Sequence, residues 1–335
     1  METVLVTRTD NDGDVLLAGP AIRAVAAHAG HVVLLVAPSG EQAARMLPGV
    51  SDVLVWPCPW SGFDPPPVDA TTTAALVDTI RAEGFGRALV LTSYHQSALP
   101  MALLLRLAGV RYIAAVSEDY PGSLLDLRHR CAGGHEVERA LSLAAACGYR
   151  LPGRDDGRLA VRSPLPAVSL PETPFVVVHP GASVPARAPE PDHARAIVRA
   201  LRAAGWHVVV TGSATERDLT AAVAADGAED RGGRTSYREL AAVLRAADCV
   251  VAGNTGPAHL AAAVGTPVVS LFAPVVPAAR WAPWGVPAVV LGDQQAACRD
   301  TRARECPLPG HPCLSGVTPD EVVNAVTKLT QEVAR

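Results

Sequence analysis

One feature constrains this chain more than any other: a rhythm that runs twice. Short apolar, β-branched runs alternate with amphipathic stretches of helical length, and the pattern stops and restarts around a proline-rich break. In the first half the strand-like runs are residues 4–6, 32–36, 53–56, 88–91 and 112–116. The helical stretches are 14–29, 41–47, 97–107 and 137–147. Runs this apolar are buried on both faces, and strands alternating with helices imply a parallel sheet covered on both sides. Residues 151–173 carry several prolines, Gly153, Gly157 and a cluster of charge, with no period. Strand-like runs then return at 175–178, 207–211, 249–252 and 268–272, with helical stretches at 193–204, 216–225, 236–247 and 257–264. A last amphipathic helix is expected over 318–333, opened by Pro319 and Asp320.

The predicted fold class is therefore α/β, two Rossmann-like doubly wound domains. The boundaries are residues 1–160 and 161–335, with the last helix a candidate to pack back on the first domain. Ligands of such sheets sit at the carboxyl ends of the strands, so the expected site is an interdomain cleft faced by both edges.

Composition excludes several functions. At 49% hydrophobic and 19% charged the chain has a core to bury. A net charge of −4 presents no basic face, so no nucleic-acid partner is expected. The first residues lack a positive leader and read as a strand, not a signal peptide. Glycine, proline or polar residues break the apolar runs well short of a membrane span. A cytoplasmic protein is predicted, with peripheral membrane contact left open. The seven cysteines, an odd number, argue against a disulfide framework. Cys298, Cys306 and Cys313 cluster near His311 but lack a paired C-x-x-C knuckle, so a structural role is predicted over zinc. No metal and no cofactor are expected.

Four segments carry candidate chemistry. AGNTGPAH at 252–259 ends a strand and opens a helix at Pro257. The backbone N–H groups of Gly256, Ala258 and His259 are expected to face outward as an anion site, unless Asn254 or Thr255 merely caps the helix. VHPGAS at 178–183 ends another strand, with Ser183 and Arg187 offering a hydroxyl and a fixed fork of donors. VTGSATE at 210–216, with Gly212, delivers Glu216 as a ribose acceptor or as a dipole-favoured helix start. RTDNDGD at 8–14 gathers three carboxylates, of which Asp14 falls in the first turn of a helix. A carboxylate there can take a proton from a sugar hydroxyl, or belong to a polar turn. Residues 56–60 and 92–96 are candidates for lining an acceptor pocket, and equally for core or loop. Neither half contains G-x-G-x-x-G, which weakens a dehydrogenase reading.

Taken together, Arg8, Asp10, Gly13, Asp14 and Pro20, then HPGAS at 179–183, then NTGPAH at 254–259 and GTPVVSLF at 265–272, resemble glycosyltransferase family 9 in order and spacing. The resemblance to these ADP-heptose-using heptosyltransferases implies an inverting GT-B enzyme. It would move a heptose from an ADP-heptose co-substrate to an unidentified acceptor. It implies Asp14 as general base. Ser183, Arg187, Gly212, Glu216, Thr235, Asn254, Thr255, Gly256, Pro257 and His259 become donor contacts. Asp10, Asn11, Asp12, Tyr94 and His95 become acceptor-side candidates. Two positions depart from the pattern: Arg187 stands where lysine is frequent, and Asn254 where aspartate is frequent. A UDP-sugar-processing GT-B enzyme such as an epimerase, and a non-catalytic nucleotide-sugar-binding protein, are the competing expectations.

Overall fold

A computed structural model describes residues 2–62, 64–131 and 133–333. The chain divides into two compact units, Met1–Arg162 and Ser163–Arg335. The first runs β1 (Thr3–Arg8), α1 (Asp12–Ala26), β2 (His31–Val36), α2 (Glu41–Met46), β3 (Asp52–Val55), α3 (Ala70–Glu83), β4 (Arg87–Val90), α4 (Leu99–Leu107), β5 (Tyr112–Val116), β6 (Leu127–His129) and α5 (Glu136–Ala146). The second runs β7 (Phe175–His179), α6 (Pro191–Ala203), β8 (His207–Val210), α7 (Arg217–Ala224), β9 (Glu229–Asp230), α8 (Tyr237–Ala246), β10 (Cys249–Gly253), α9 (Gly256–Ala263), β11 (Val268–Leu271), α10 (Ala278–Trp281), β12 (Ala288–Leu291), α11 (Pro312–Ser315) and α12 (Pro319–Val333).

Both sheets are parallel and doubly wound. Their strand orders are β3-β2-β1-β4-β5-β6 and β12-β11-β10-β7-β8-β9. The central strands are apolar throughout because helices cover both faces: Val4, Leu5, Leu34, Val176, Val177 and Val250 are fully buried. Capping fixes the helix starts. The Asp69 side chain accepts from Thr72 N–H to open α3, and capping boxes open α5 (His135, Glu138) and α8 (Ser236, Glu239). Gly84, left-handed at φ 67°, ends α3.

The period-free stretch is not all linker. Arg23 grips Asp155 through two bonds of 2.6 and 2.8 Å, and Arg162 N–H donates to Met46 O at 2.7 Å. These tie residues 151–162 to the first unit. The last helix, α12, lies against α6 and beside β10, β11 and β12, within its own unit. Among the described residues, no helix is long and apolar enough to cross a membrane.

Candidate functional site

In the first sheet the strand order reverses between β1 and β4, so the loops after these strands diverge and open a crevice at their carboxyl ends. Arg8, the last residue of β1, sits there buried. Its Nε lies 2.8 Å from Asp10 Oδ2, and its Nη2 donates to Asp14 Oδ1 at 2.9 Å and to Ser93 Oγ at 3.0 Å. Glu136 Oε2, from the first turn of α5, lies 3.6 Å away. Burial works against the Arg8 charge, but the surrounding carboxylates outweigh it and hold its pKa above the ordinary value.

The three carboxylates of the 8–14 segment are used differently. Asp10 is buried. Its Oδ1 accepts from Gln96 Nε2 at 2.6 Å and Ser61 Oγ at 3.3 Å, and its Oδ2 faces Arg8 and Ser93. Burial raises its pKa, against the pull of Arg8. Both oxygens are engaged inside the protein, where Asp10 braces the loops after β1 and β4. Asp12 accepts from Ala43 N–H at 3.1 Å, and burial pushes its pKa up to about 6. Asn11 occupies the N-cap position of α1 without a side-chain capping bond. Asp14, in the first turn of α1, is held by Arg8 yet keeps its side chain 22% exposed.

Tyr94 and His95 form an edge-to-face ring pair at 5.4 Å on the loop after β4, with His95 exposed. Trp56 is buried in the core with Leu5 and Leu35, and Trp60 packs on it edge-on at 5.4 Å. Trp56 and Cys58 are therefore core, while Pro57 between them is exposed. Sequence reasoning missed Ser61 and Glu136 because nothing local marks them, and it named Ser93 and Gln96 only as part of the 92–96 stretch. They meet Arg8 and Asp10 only once the sheet has formed.

In the second sheet the order reverses between β10 and β7. The loop after β7 threads between the ends of its two neighbours. A Cβ on Gly253, at the end of β10, would lie 2.4 Å from Arg187 O, and one on Gly181 would lie 1.9 Å from Glu216 Oε1. The two glycines thus bring Arg187, Glu216 and the 253–259 segment together. Ser183 is exposed on this loop and Arg187 is half-buried. Glu216 Oε2 accepts from Ser213 N–H at 2.7 Å as part of a capping box, so Glu216 does serve the helix start.

His179, quoted in the sequence motif but given no role there, ends β7 buried. Its Nδ1 contacts Thr211 Oγ1 at 3.0 Å and its Nε2 lies 3.9 Å from Glu216 Oε2. Burial lowers its pKa, with Glu216 opposing. Gly212 O accepts from Gly233 N–H at 2.8 Å. Thr235 follows that turn and precedes Ser236, the N-cap of α8.

One expectation for 252–259 is corrected. The Ala258 N–H turns back to Thr255 O at 3.1 Å, so it does not face outward. Asn254 is buried: its Oδ1 accepts from Ala273 N–H at 3.2 Å and its Nδ2 donates to Ala273 O at 3.4 Å. These two bonds tie the amide to the loop after β11. Thr255 stands at the N-cap without a side-chain bond, and Gly256 and Pro257 open α9 half-buried. His259 is buried in the first turn.

Residues 298–311 form a strap over this edge. Asp300 N–H donates to Pro274 O and Arg302 N–H to Val275 O, at 2.9 and 2.8 Å. On the far side Ala186 N–H donates to Arg304 O at 2.9 Å, and His311 Nε2 contacts Ala186 O at 3.1 Å. Asp300, Arg302 and His311 all adopt positive φ, a local strain that these bonds offset. Cys298 and Cys313 are buried beside one another, and burial pushes the Cys313 thiol up to about 12. Among the described residues no group of His, Cys, Asp or Glu is arranged to hold a metal ion.

Comparison with known proteins agrees with this geometry. The model of glycosyltransferase family 9 (heptosyltransferase) matches residues 73–311. Lipopolysaccharide heptosyltransferase 3 of Escherichia coli K12 is 30% identical over 165 residues, 45% of this chain and 47% of the relative. Lipopolysaccharide heptosyltransferase 1 of Pseudomonas aeruginosa is 34% identical over 199 residues, 54% of each. The chain thus spans about half the length of the curated relatives it matches. The ADP-heptose lipopolysaccharide heptosyltransferase II of E. coli superposes with a TM-score of 0.73 at 19% identity, covering 100% of both chains, which shows a shared GT-B fold. With the family model spanning most of its length, the chain belongs to glycosyltransferase family 9.

Proposed function

We propose that this chain is an inverting glycosyltransferase that moves a heptose from ADP-heptose to a hydroxyl of a glycan or small-molecule acceptor. The observation that carries the reading is the sorting of the three loop carboxylates. Asp10 is spent on internal bonds and Asp12 on Ala43. Asp14 alone is oriented by an arginine and still reaches solvent. Inversion needs one attack on the anomeric carbon, in which the acceptor hydroxyl loses its proton as the new bond forms. Asp14 takes that proton. The second unit holds the donor. The Arg187 fork and the start of α9 at Gly256 meet the diphosphate charge, which grows as ADP departs, and Glu216 receives the ribose hydroxyls. Ser183 and Thr235 flank these groups as further donor contacts.

The test is product formation from ADP-heptose with a panel of acceptors, read by mass spectrometry, for the native chain and Asp14→Asn. The variant keeps the shape and loses the basicity, so turnover should fall roughly 10²–10⁴-fold. ADP affinity by calorimetry should stay the same. Normal turnover in Asp14→Asn removes the base, and tighter binding of UDP than ADP removes the donor.

A further inference from the structure

We propose that Glu136 is a positioning residue that sets how strongly Asp14 takes up a proton, by competing with it for Arg8. The inference rests on the role of Asp14 as base. One guanidinium serves three carboxylates: Asp10 at 2.8 Å, Asp14 at 2.9 Å and Glu136 at 3.6 Å. The side chains of Arg8, Asp10 and Glu136 are 3%, 9% and 1% exposed, against 22% for Asp14. Water therefore screens the cluster only from the Asp14 side, and charges within it act on one another strongly.

A negative Glu136 reaches Asp14 in two ways. It draws on the field of Arg8, and it repels the Asp14 carboxylate. Both make Asp14 the better proton acceptor. An Arg8 devoted to Asp14 alone would do the reverse, holding a stable ion pair with little appetite for a proton. The cost of burying Glu136 is offset by its place in the first turn of α5, where the helix dipole favours an anion. α5 packs directly on α1, which carries Asp14. Glu136 and Arg8 also share the wall of a small cavity with Thr92 and Arg139.

The other charged groups around Asp14 stay constant in the comparison that follows. Asp10 and Asp12 lie on its own segment. Arg139 lies one turn along α5 from Glu136. On α2, Glu41 and Arg45 pair with each other at the surface at 2.7 Å.

The experiment needs no acceptor. Aspartate carrying carbon-13 in its side-chain carboxyl group reports the Asp14 titration midpoint by NMR in the full chain, with Asp14→Asn assigning the signal. In Glu136→Gln the midpoint should fall by about one pH unit, the low end of the effect of a close charge. The acid limb of any pH–turnover profile should move the same way. Glu136→Asp keeps the charge but draws it back from Arg8. It should give a smaller fall in the same direction, and it secures the result if the glutamine variant does not fold. An unchanged midpoint in a folded variant overturns the proposal. Turnover of Asp14→Asn is a separate question: a shifted midpoint beside full turnover in that variant leaves the coupling standing and removes only the base.

Discussion

Asn254 and Asp12 show that the partners of a polar side chain, not its type, decide its use. Asn254 gives Ala273 an acceptor for its N–H and a donor for its carbonyl. An aspartate there accepts from Ala273 N–H but faces Ala273 O with no proton to give. Asn254→Asp should therefore cost about 1–3 kcal/mol, the penalty for a buried unsatisfied polar group. Urea unfolding showing equal stability would remove this account. Asp12 makes a pH argument. Its pKa in the folded chain is about 6, above the ordinary 3.8. The folded state thus holds a proton that the unfolded state has released, and stability from this group falls as pH rises from about 4 to about 6. Asp12→Asn should stabilise the chain at pH 7, by on the order of 1 kcal/mol, and the gain should vanish below pH 4. A gain that is equal at both pH values in thermal unfolding would contradict the assignment. Asp14 is legible in the sequence because an aspartate at the start of an apolar helix is a local signal. The centrality of Arg8 is less so, because its bond to Ser93 spans 85 residues.

At the scale of elements, most strands and helices are legible because they are long apolar or amphipathic runs. The exceptions have physical reasons. α3 is threonine-rich and buries only Leu76, Val77 and Ile80, too narrow a stripe to stand out. β9 is two residues long and acidic, so it forms no apolar run, and β12, though apolar (AVVL), is only four residues long and partly exposed. The loop after β7 is where sequence and structure diverge most usefully. Its glycine partner at 253 looks like an ordinary strand end, yet its missing side chain is what lets Arg187 approach. Gly253→Ala places a methyl 2.4 Å from Arg187 O and must move that loop. The fold should survive, since β10 itself stays paired to β7 and β11. ADP affinity should drop by about tenfold or more, the equivalent of losing one charged hydrogen bond. Calorimetry showing native affinity would separate Arg187 from the donor site.

For the whole molecule, the repeated strand–helix rhythm makes two doubly wound units legible. The first unit ends at Arg162, and the Arg23–Asp155 and Arg162–Met46 bonds show what holds its last residues to it across long stretches of sequence. In the proposed reaction the fixed donors of the second unit meet the charge of the departing ADP, and no divalent ion is needed. Turnover should persist in EDTA. Loss of turnover that magnesium restores would assign the 8–14 segment or the diphosphate to a metal instead. The strap adds a matter of timing. His311 closes on Ala186 across 125 residues of chain, and Arg304 does so from nearly as far. A nascent chain leaving the ribosome has β7 and its loop long before the residues that frame them. At ~5–20 residues per second, the interval is roughly 6–25 s. During synthesis the loop bearing Arg187 waits unframed over that interval.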